Sequence, residues 1–240
     1  MRAYHCSIRT IPQPVDPDIE MGQDVVQREH LGALRGRTWA PGTVLGTAFV
    51  DGASAELRKR ILGHLNAWSK TANISFRESK DSPQIRIARA GGAQWGGYWS
   101  YLGLDNLDVP ANEPTMNLEG FTTRTPESEF TRVVRHEAGH ALGFPHEHSR
   151  REVVAKLDPA KVIAHFQKYE GWSEAMIRDQ ILTPLPQSAF IGTRLPDSRS
   201  VMCYWFGGSL TKDGRPIPGG SDITTLDARF AASIYPRRRA

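Results

Sequence analysis

The stretch RHEAGHALGFPHEHSR, residues 135–150, carries four of the chain's eight histidines. His136 and His140 stand four residues apart. On a helix that spacing puts both rings on one face, one turn from each other. Two imidazole nitrogens then reach one point, and a divalent cation there answers both. Glu137 lies about 100° further round the same helix. It sits beside such an ion rather than on it, within reach of a water. Zinc lowers the pKa of a water it holds from about 15.7 towards about 7. A neighbouring carboxylate can take that proton and pass it to a leaving amine. H-E-x-x-H therefore reads as ligand, base and ligand in five residues.

A catalytic zinc takes a third protein ligand and keeps one position open. Gly143 is placed to end the helix with a positive φ, so that the chain turns back and His146 meets the same ion. The five-residue pattern alone also suits a charged helix face. The longer H-E-x-x-H-x-x-G-x-x-H is far rarer and selects the metal reading. His148 departs from this spacing and reads as a neighbour of the site or a solvated side chain. Val133, Val134, Ala141, Leu142 and Phe144 are expected to pack the helix and keep one side of the site dry.

The rest of the chain supplies the scaffold. With 240 residues and 39% hydrophobic content there is enough apolar material for one large domain or two lobes sharing a cleft. The net charge of +4 is spread out, apart from Arg237 to Arg239, which argues against a nucleic-acid binder. Two cysteines, Cys6 and Cys203, exclude a disulfide framework and allow one bridge. No apolar run of about eighteen residues exists, so no membrane span is expected. The opening residues lack an apolar core and do not read as a signal peptide. A leader missing from the sequence, another export route or an intracellular life all stay open.

Residues 1–37 read as an extended tail, with three prolines in TIPQPVDPDIEMGQD. The body is expected over 38–240. Strands are expected over 43–50, 74–78, 84–89, 96–103 and 115–121. Leu57, Ile61, Leu65 and Trp68 give 54–70 an apolar helical stripe, with Ser54 as cap. Helices are further expected over 128–143, capped by Ser128, over 158–169, capped by Asp158 with Pro159 first, and over 224–235. Thr224 and Asp227 there suit a capping box. The segment 170–182 adds a helical turn or two, and 183–222 is irregular. The fold class is α/β (α+β) in two lobes. The N-lobe (38–146) holds a twisted, mixed five-stranded sheet and the histidine-bearing helix. The C-lobe (147–240) is small and irregular and ends in a helix.

HEAGHALGFPHEHSR resembles the zinc signature of the metzincin metallopeptidases. It is most similar to the astacin family's H-E-x-x-H-x-x-G-F-x-H-E-x-x-R. His136, Glu137, His140, Gly143, Phe144, His146, Glu147 and Arg150 fill its fixed positions. SVMCY (200–204) is similar to the family's S-x-M-x-Y. The resemblance implies one Zn2+ per chain held by His136, His140 and His146. It implies hydrolysis of peptide bonds with Glu137 as base, and Met202 as the floor under the histidines. It implies Tyr204 as a fifth zinc ligand that swings out to support the oxyanion, a phenol aimed at developing charge. RTWAPGTVLGTAFV is similar to the first strand of the family, and GGYWSYLG to its aromatic segment. Thr115, Met116, Asn117 and Leu118 would then line the substrate, their backbone pairing with an extended peptide.

The resemblance also implies a zymogen whose new N-terminus settles near Glu147. Two residues are candidates for the inhibitory switch. Cys6 offers a thiolate, a good zinc ligand. Asp24 in EMGQD is similar to the family's F-x-G-D, one residue out of step. A tail packed on the surface and a Cys6–Cys203 bridge are the alternatives. The chain departs from the family in having too few cysteines for two disulfides, in Cys203 standing where histidine is frequent, and in REVVAKLD replacing an acidic stretch. A secreted monomer acting on protein or peptide is implied, against an intracellular or exported effector. Two other functions compete, a catalytically blocked zinc-containing binding module and a metal hydrolase with a non-peptide substrate. The intact Glu137 weighs against the first. Aspartates in GLDNLDVPANE (103–113) are candidate calcium ligands, against a plain solvated loop.

Overall fold

The computed structural model describes residues 6–9, 32–34, 36–92, 96–186, 190–192 and 196–237. Local chemistry sets its elements. Ser54 accepts a hydrogen bond from the Leu57 N–H (3.3 Å) and starts α1 (Ala55–Leu65). Leu57, Ile61, Leu65 and the following Trp68 are buried, so the apolar stripe faces the core. Asp158 caps α5 (Pro159–Glu170), and Gly171 ends it at φ 69°. Thr224 and Asp227 form the reciprocal capping box that opens α7 (Thr225–Ile234). Two shorter helices, α4 (Arg151–Val154) and α6 (Glu174–Ile177), flank α5, and a π turn (Arg178–Leu182) continues α6.

All five expected strands form: β3 (Val44–Phe49), β4 (Ser75–Glu78), β5 (Ile85–Ala88), β6 (Tyr98–Tyr101) and β7 (Met116–Leu118). A further strand, β1 (Cys6–Arg9), joins them from the N-terminal segment, giving the order β1-β6-β7-β5-β3-β4. The sheet is mixed, because β6 runs antiparallel to β7 while β3, β4, β5 and β7 are mutually parallel. β1 pairs with β6 in parallel, Cys6 opposite Tyr98.

This order corrects the expectation for residues 115–118. β7 lies between β5 and β6, and both its edges are paired. Thr115, Met116, Asn117 and Leu118 are all buried. Their backbone has no edge to offer a peptide. Asn117 instead ties down the preceding loop, with Oδ1 accepting from the Ala90 N–H and Nδ2 donating to the carbonyls of Ala90 and Gly97. Of the five body strands β6 is the outer one on this side, with β1 along its free edge, and chain order alone could not foresee that the fourth strand of the body would reverse and lie outside the fifth.

A second small sheet pairs β2 (Gly32–Leu34) with β8 (Phe190–Gly192). Ala33 belongs to the main core, so the packed body begins before Trp39. The helical run that carries the histidines starts at α2 (Glu127–Glu129), passes through a π turn (Phe130–Val134) and continues as α3 (Arg135–Ala141). Pro126, not Ser128, occupies the N-cap position, since its fixed φ of −57° with ψ 147° already leads into the helix.

Two hydrophobic clusters result. The larger joins the sheet, α1 and α3; the other gathers Val153, Val162, Phe166, Ile177, Ile181, Tyr204 and Phe206. Among the described residues the carboxylates of the loop 103–113 form no ligand cluster. Asp105 is buried and paired with Arg37, and Asn106 donates to the carbonyls of Tyr101 and Gly103. Among the described residues, no helix is long and apolar enough to cross a membrane.

Candidate metal centre

α3 puts His136 and His140 one turn apart, with ring centroids 4.7 Å apart. Gly143 then adopts φ 91°, a backbone conformation that a Cβ disfavours. The reversal has two consequences. The Phe144 carbonyl comes back to accept from His140 Nδ1 (2.7 Å), and His146 Nε2 arrives 3.1 Å from His140 Nε2. Nitrogens of His136, His140 and His146 all lie within 4.8 Å of one another.

The hydrogen bonds decide which nitrogens are available. A carbonyl can only accept, so the proton of His140 sits on Nδ1 and its Nε2 carries a lone pair. His136 Nδ1 is fixed in the same way by the Val201 carbonyl at 2.6 Å. Carbonyl partners on the far nitrogen orient and sharpen a metal-binding imidazole. A tetrahedral ion with zinc–nitrogen bonds of about 2.0–2.1 Å separates its ligand nitrogens by about 3.3 Å. The 3.1 Å between His140 and His146 is close to that. Burial pushes His136 down to about 4, and the Val201 carbonyl only partly opposes it. Burial also drives His140 well below the ordinary imidazole range. Neutral imidazoles converging in a dry site are what zinc requires, and these residues fit it. Glu137, one residue along the helix, is completely buried beside them.

Residues 200–204 lie beneath. Met202 is fully buried, and its carbonyl accepts from the Glu147 N–H at 2.9 Å. The helix has a glycine where this methionine packs. A Cβ on Gly139 would overlap Met202 Sδ and come within 3.2 Å of the Trp68 ring. Alanine in a helix interior gains about 1 kcal/mol over glycine, but overpacking costs about 1–3 kcal/mol. Gly139→Ala is therefore expected to lower stability by up to about 2 kcal/mol in urea titrations and to loosen zinc, since Met202 must move. A gain in stability with unchanged metal affinity would remove Met202 from this role.

The Tyr204 ring lies 4.5 Å from the His146 ring and 6.1 Å from that of His136. Glu147 is buried and engaged. Arg150 Nε is 2.6 Å from Oε1, and the Asp197 N–H donates to the same oxygen at 3.0 Å. Burial raises the Glu147 carboxyl, with Arg150 pulling the other way. Cys203 is a buried free thiol, so the Cys6–Cys203 bridge is absent. For Cys6 only the backbone is described, and Asp24 lies outside the described residues.

Several contributors had no motif to betray them. The carbonyls of Val201 and Phe144 orient the ligands. Trp39 and Tyr235 donate to the Ala141 and Leu142 carbonyls, which have no partner in the helix beyond them. Asp227, legible as a cap, also accepts from the Val201 N–H at 3.1 Å and so supports the turn under the metal.

Comparison with known proteins agrees with this geometry. The chain is 29% identical to the zinc metalloproteinase nas-27 of Caenorhabditis elegans over 187 residues, 76% of this chain and 37% of that protein. It thus spans little more than a third of that relative's length. A structure of myroilysin, 32% identical, superposes with a TM-score of 0.80 over 87% of this chain and all of the other. A hatching-enzyme zinc protease from Oryzias latipes, 18% identical, shares the fold with a TM-score of 0.54, over 84% of this chain and 96% of the other. The family model for the astacin peptidases matches residues 33–158, more than half of the chain. That match contains all three histidines and the glutamate between the first two. The chain belongs to the astacin family of zinc metallopeptidases.

Proposed function

We propose that the chain is a zinc endopeptidase acting on protein or peptide, with Glu137 as general base and acid, and that its N-terminal segment holds it inactive. The observation that carries this reading is the convergence of three buried histidines beside a buried carboxylate. Zinc at these nitrogens supplies a polarised carbonyl and a water of lowered pKa. Glu137 takes a proton from the attacking water at a carboxylate oxygen and returns it to the departing nitrogen. Tyr204 offers its phenol to the carbonyl oxygen as charge develops there. β6 packs alongside α3, so its outer edge is the natural place for an extended substrate. The assay is cleavage of casein or a quenched peptide library, with chelator and with zinc restored.

β1 already lies along that β6 edge. This supports a pro-segment within residues 1–37, ahead of a catalytic body with lobes at 38–146 and 147–240 and with β2 built into its core. An inhibited, monomeric form also suits a peptidase that must leave the cell before it acts. A tethered occupant competes at an effective concentration near millimolar, so trimming residues 1–31 is expected to raise activity about tenfold or more. Cutting there spares β2 and its core residue Ala33. Cys6→Ala in the full chain tests the thiol separately. A rise in activity supports Cys6 as the blocking group, and unchanged activity ends that idea. A trimmed protein that holds stoichiometric zinc and cleaves nothing is a blocked binding module instead.

A further inference from the structure

The reading above asks Tyr204 to present its phenol to the reacting carbonyl. Yet Tyr204 follows the turn at 201–202 and lies outside any helix or strand that could fix it. We propose that His148 is the positioning residue that holds Tyr204, an inference that rests on the role given to that phenol.

His148 is completely buried, so the solvated alternative is excluded. Its ring makes a near-equilateral triangle with the His146 and Tyr204 rings, which are themselves 4.5 Å apart. The centroid is 4.5 Å from the His146 ring, stacked at 28°, and 4.1 Å from the Tyr204 ring, tilted at 31°. Phe206 closes it edge-on at 5.4 Å.

The nitrogens of His148 do separate work. Nε2 is 3.3 Å from the Gln180 carbonyl, and Nδ1 is 3.4 Å from the Tyr204 backbone nitrogen. The carbonyl can only accept and the amide N–H can only donate. The ring is therefore neutral, with its proton on Nε2 and its Nδ1 lone pair turned to Tyr204. Gln180 belongs to the π turn Arg178–Leu182. The same corner is fastened by the Leu185 N–H donating to Ser149 at 3.0 Å. His148 thus ties Tyr204 to a segment 32 residues ahead of itself in the chain. Both hydrogen bonds are long for their type; the Nδ1 bond alone reaches the Tyr204 backbone, so its loss is what the variants isolate.

Three variants separate the parts. His148→Phe keeps a ring and removes both hydrogen bonds. His148→Asn keeps an acceptor near the place of Nδ1, and His148→Gln keeps a donor near the place of Nε2. In trimmed, zinc-loaded protein, His148→Phe is expected to lower kcat about tenfold with KM within about twofold, against the roughly hundredfold or greater loss for removing an oxyanion donor outright. His148→Asn should retain most of kcat, and His148→Gln should fall with the phenylalanine variant. In the Tyr204→Phe background His148→Phe should have no further effect, because it acts through the lost phenol. A second readout needs no activity. Hydrogen exchange of a peptide spanning Met202–Phe206 should accelerate in His148→Phe and His148→Gln and stay near wild type in His148→Asn.

An undiminished fall in kcat in the Tyr204→Phe background overturns the inference, as do equal exchange and equal kcat for the asparagine and glutamine variants. If Tyr204→Phe alone is silent while the exchange pattern appears, the fault lies with the phenol's catalytic role, and His148 still holds Tyr204.

Discussion

Glu137→Gln is expected to lower kcat by about four orders of magnitude while leaving zinc and fold in place. General acid–base catalysis contributes about 10²–10⁴. The upper end applies here because one carboxylate serves both proton transfers. The barrier rises by about 5.5 kcal/mol. Glutamine has nearly the same shape, so the packing around this fully buried side chain is kept. The ligands are untouched, since His136 and His140 are held by the Val201 and Phe144 carbonyls. Replacing a buried charged group by a neutral one of equal volume does not weaken a core and can strengthen it. The melting temperature should therefore stay level or rise. Single-turnover cleavage of a quenched peptide, with elemental analysis for zinc, checks the result. A variant within tenfold of wild type would end the assignment of Glu137 as base. A fallen melting temperature or lost zinc would show that the substitution had damaged the site itself.

The site was legible because its chemistry is local. His136, Glu137 and His140 belong to two helical turns, and Gly143 and His146 to the reversal that follows, so spacing alone foretold their convergence. The helices were legible for the same reason, through caps such as Ser54, Asp158 and the Thr224–Asp227 box. What escaped depends on chain segments far apart in sequence. Residues 115–118 look like an edge strand until β6 is known to lie outside them. No periodicity marks β2 and β8 as partners, since three residues on each side are too few to show a pattern. His148 stands two residues from a ligand and breaks the motif's spacing. Its meaning appears only once Gln180 and Tyr204 come to its two nitrogens. The Cα of Gly139 matters because of Met202, distant in the chain and close in the core.

Removing zinc should abolish cleavage and lower the stability of the fold. A metal held at about a thousand times its dissociation constant stabilises the fold by about 4 kcal/mol. At about 2–4 °C per kcal/mol for a chain of this size, chelation should lower the melting temperature by about 10 °C near pH 7. Acid then acts on the metal-free protein in a definite direction. Above about pH 6.5 His136 is neutral in both the folded and the unfolded chain, and it contributes nothing to the slope. Between about 6.5 and the folded value of about 4, the unfolded chain binds the proton and the folded one does not. Stability must fall as pH falls through that window, by about 3 kcal/mol from His136 alone. His140, also depressed by burial, adds to the fall. Glu147 works the other way, because its carboxyl, raised to about 8, binds a proton more readily when folded, so the His136 contribution is read as a difference between variants that both keep Glu147. Bound zinc keeps the same nitrogens unprotonated in the fold, so the loaded protein loses stability through the same window and goes on losing it below about pH 4, where the metal-free fold begins to take up the proton. Melting curves of chelated wild type and chelated His136→Gln from pH 7 to pH 4 isolate this contribution, the variant losing about 3 kcal/mol less. Equal slopes would show that His136 is not held buried and neutral in the fold.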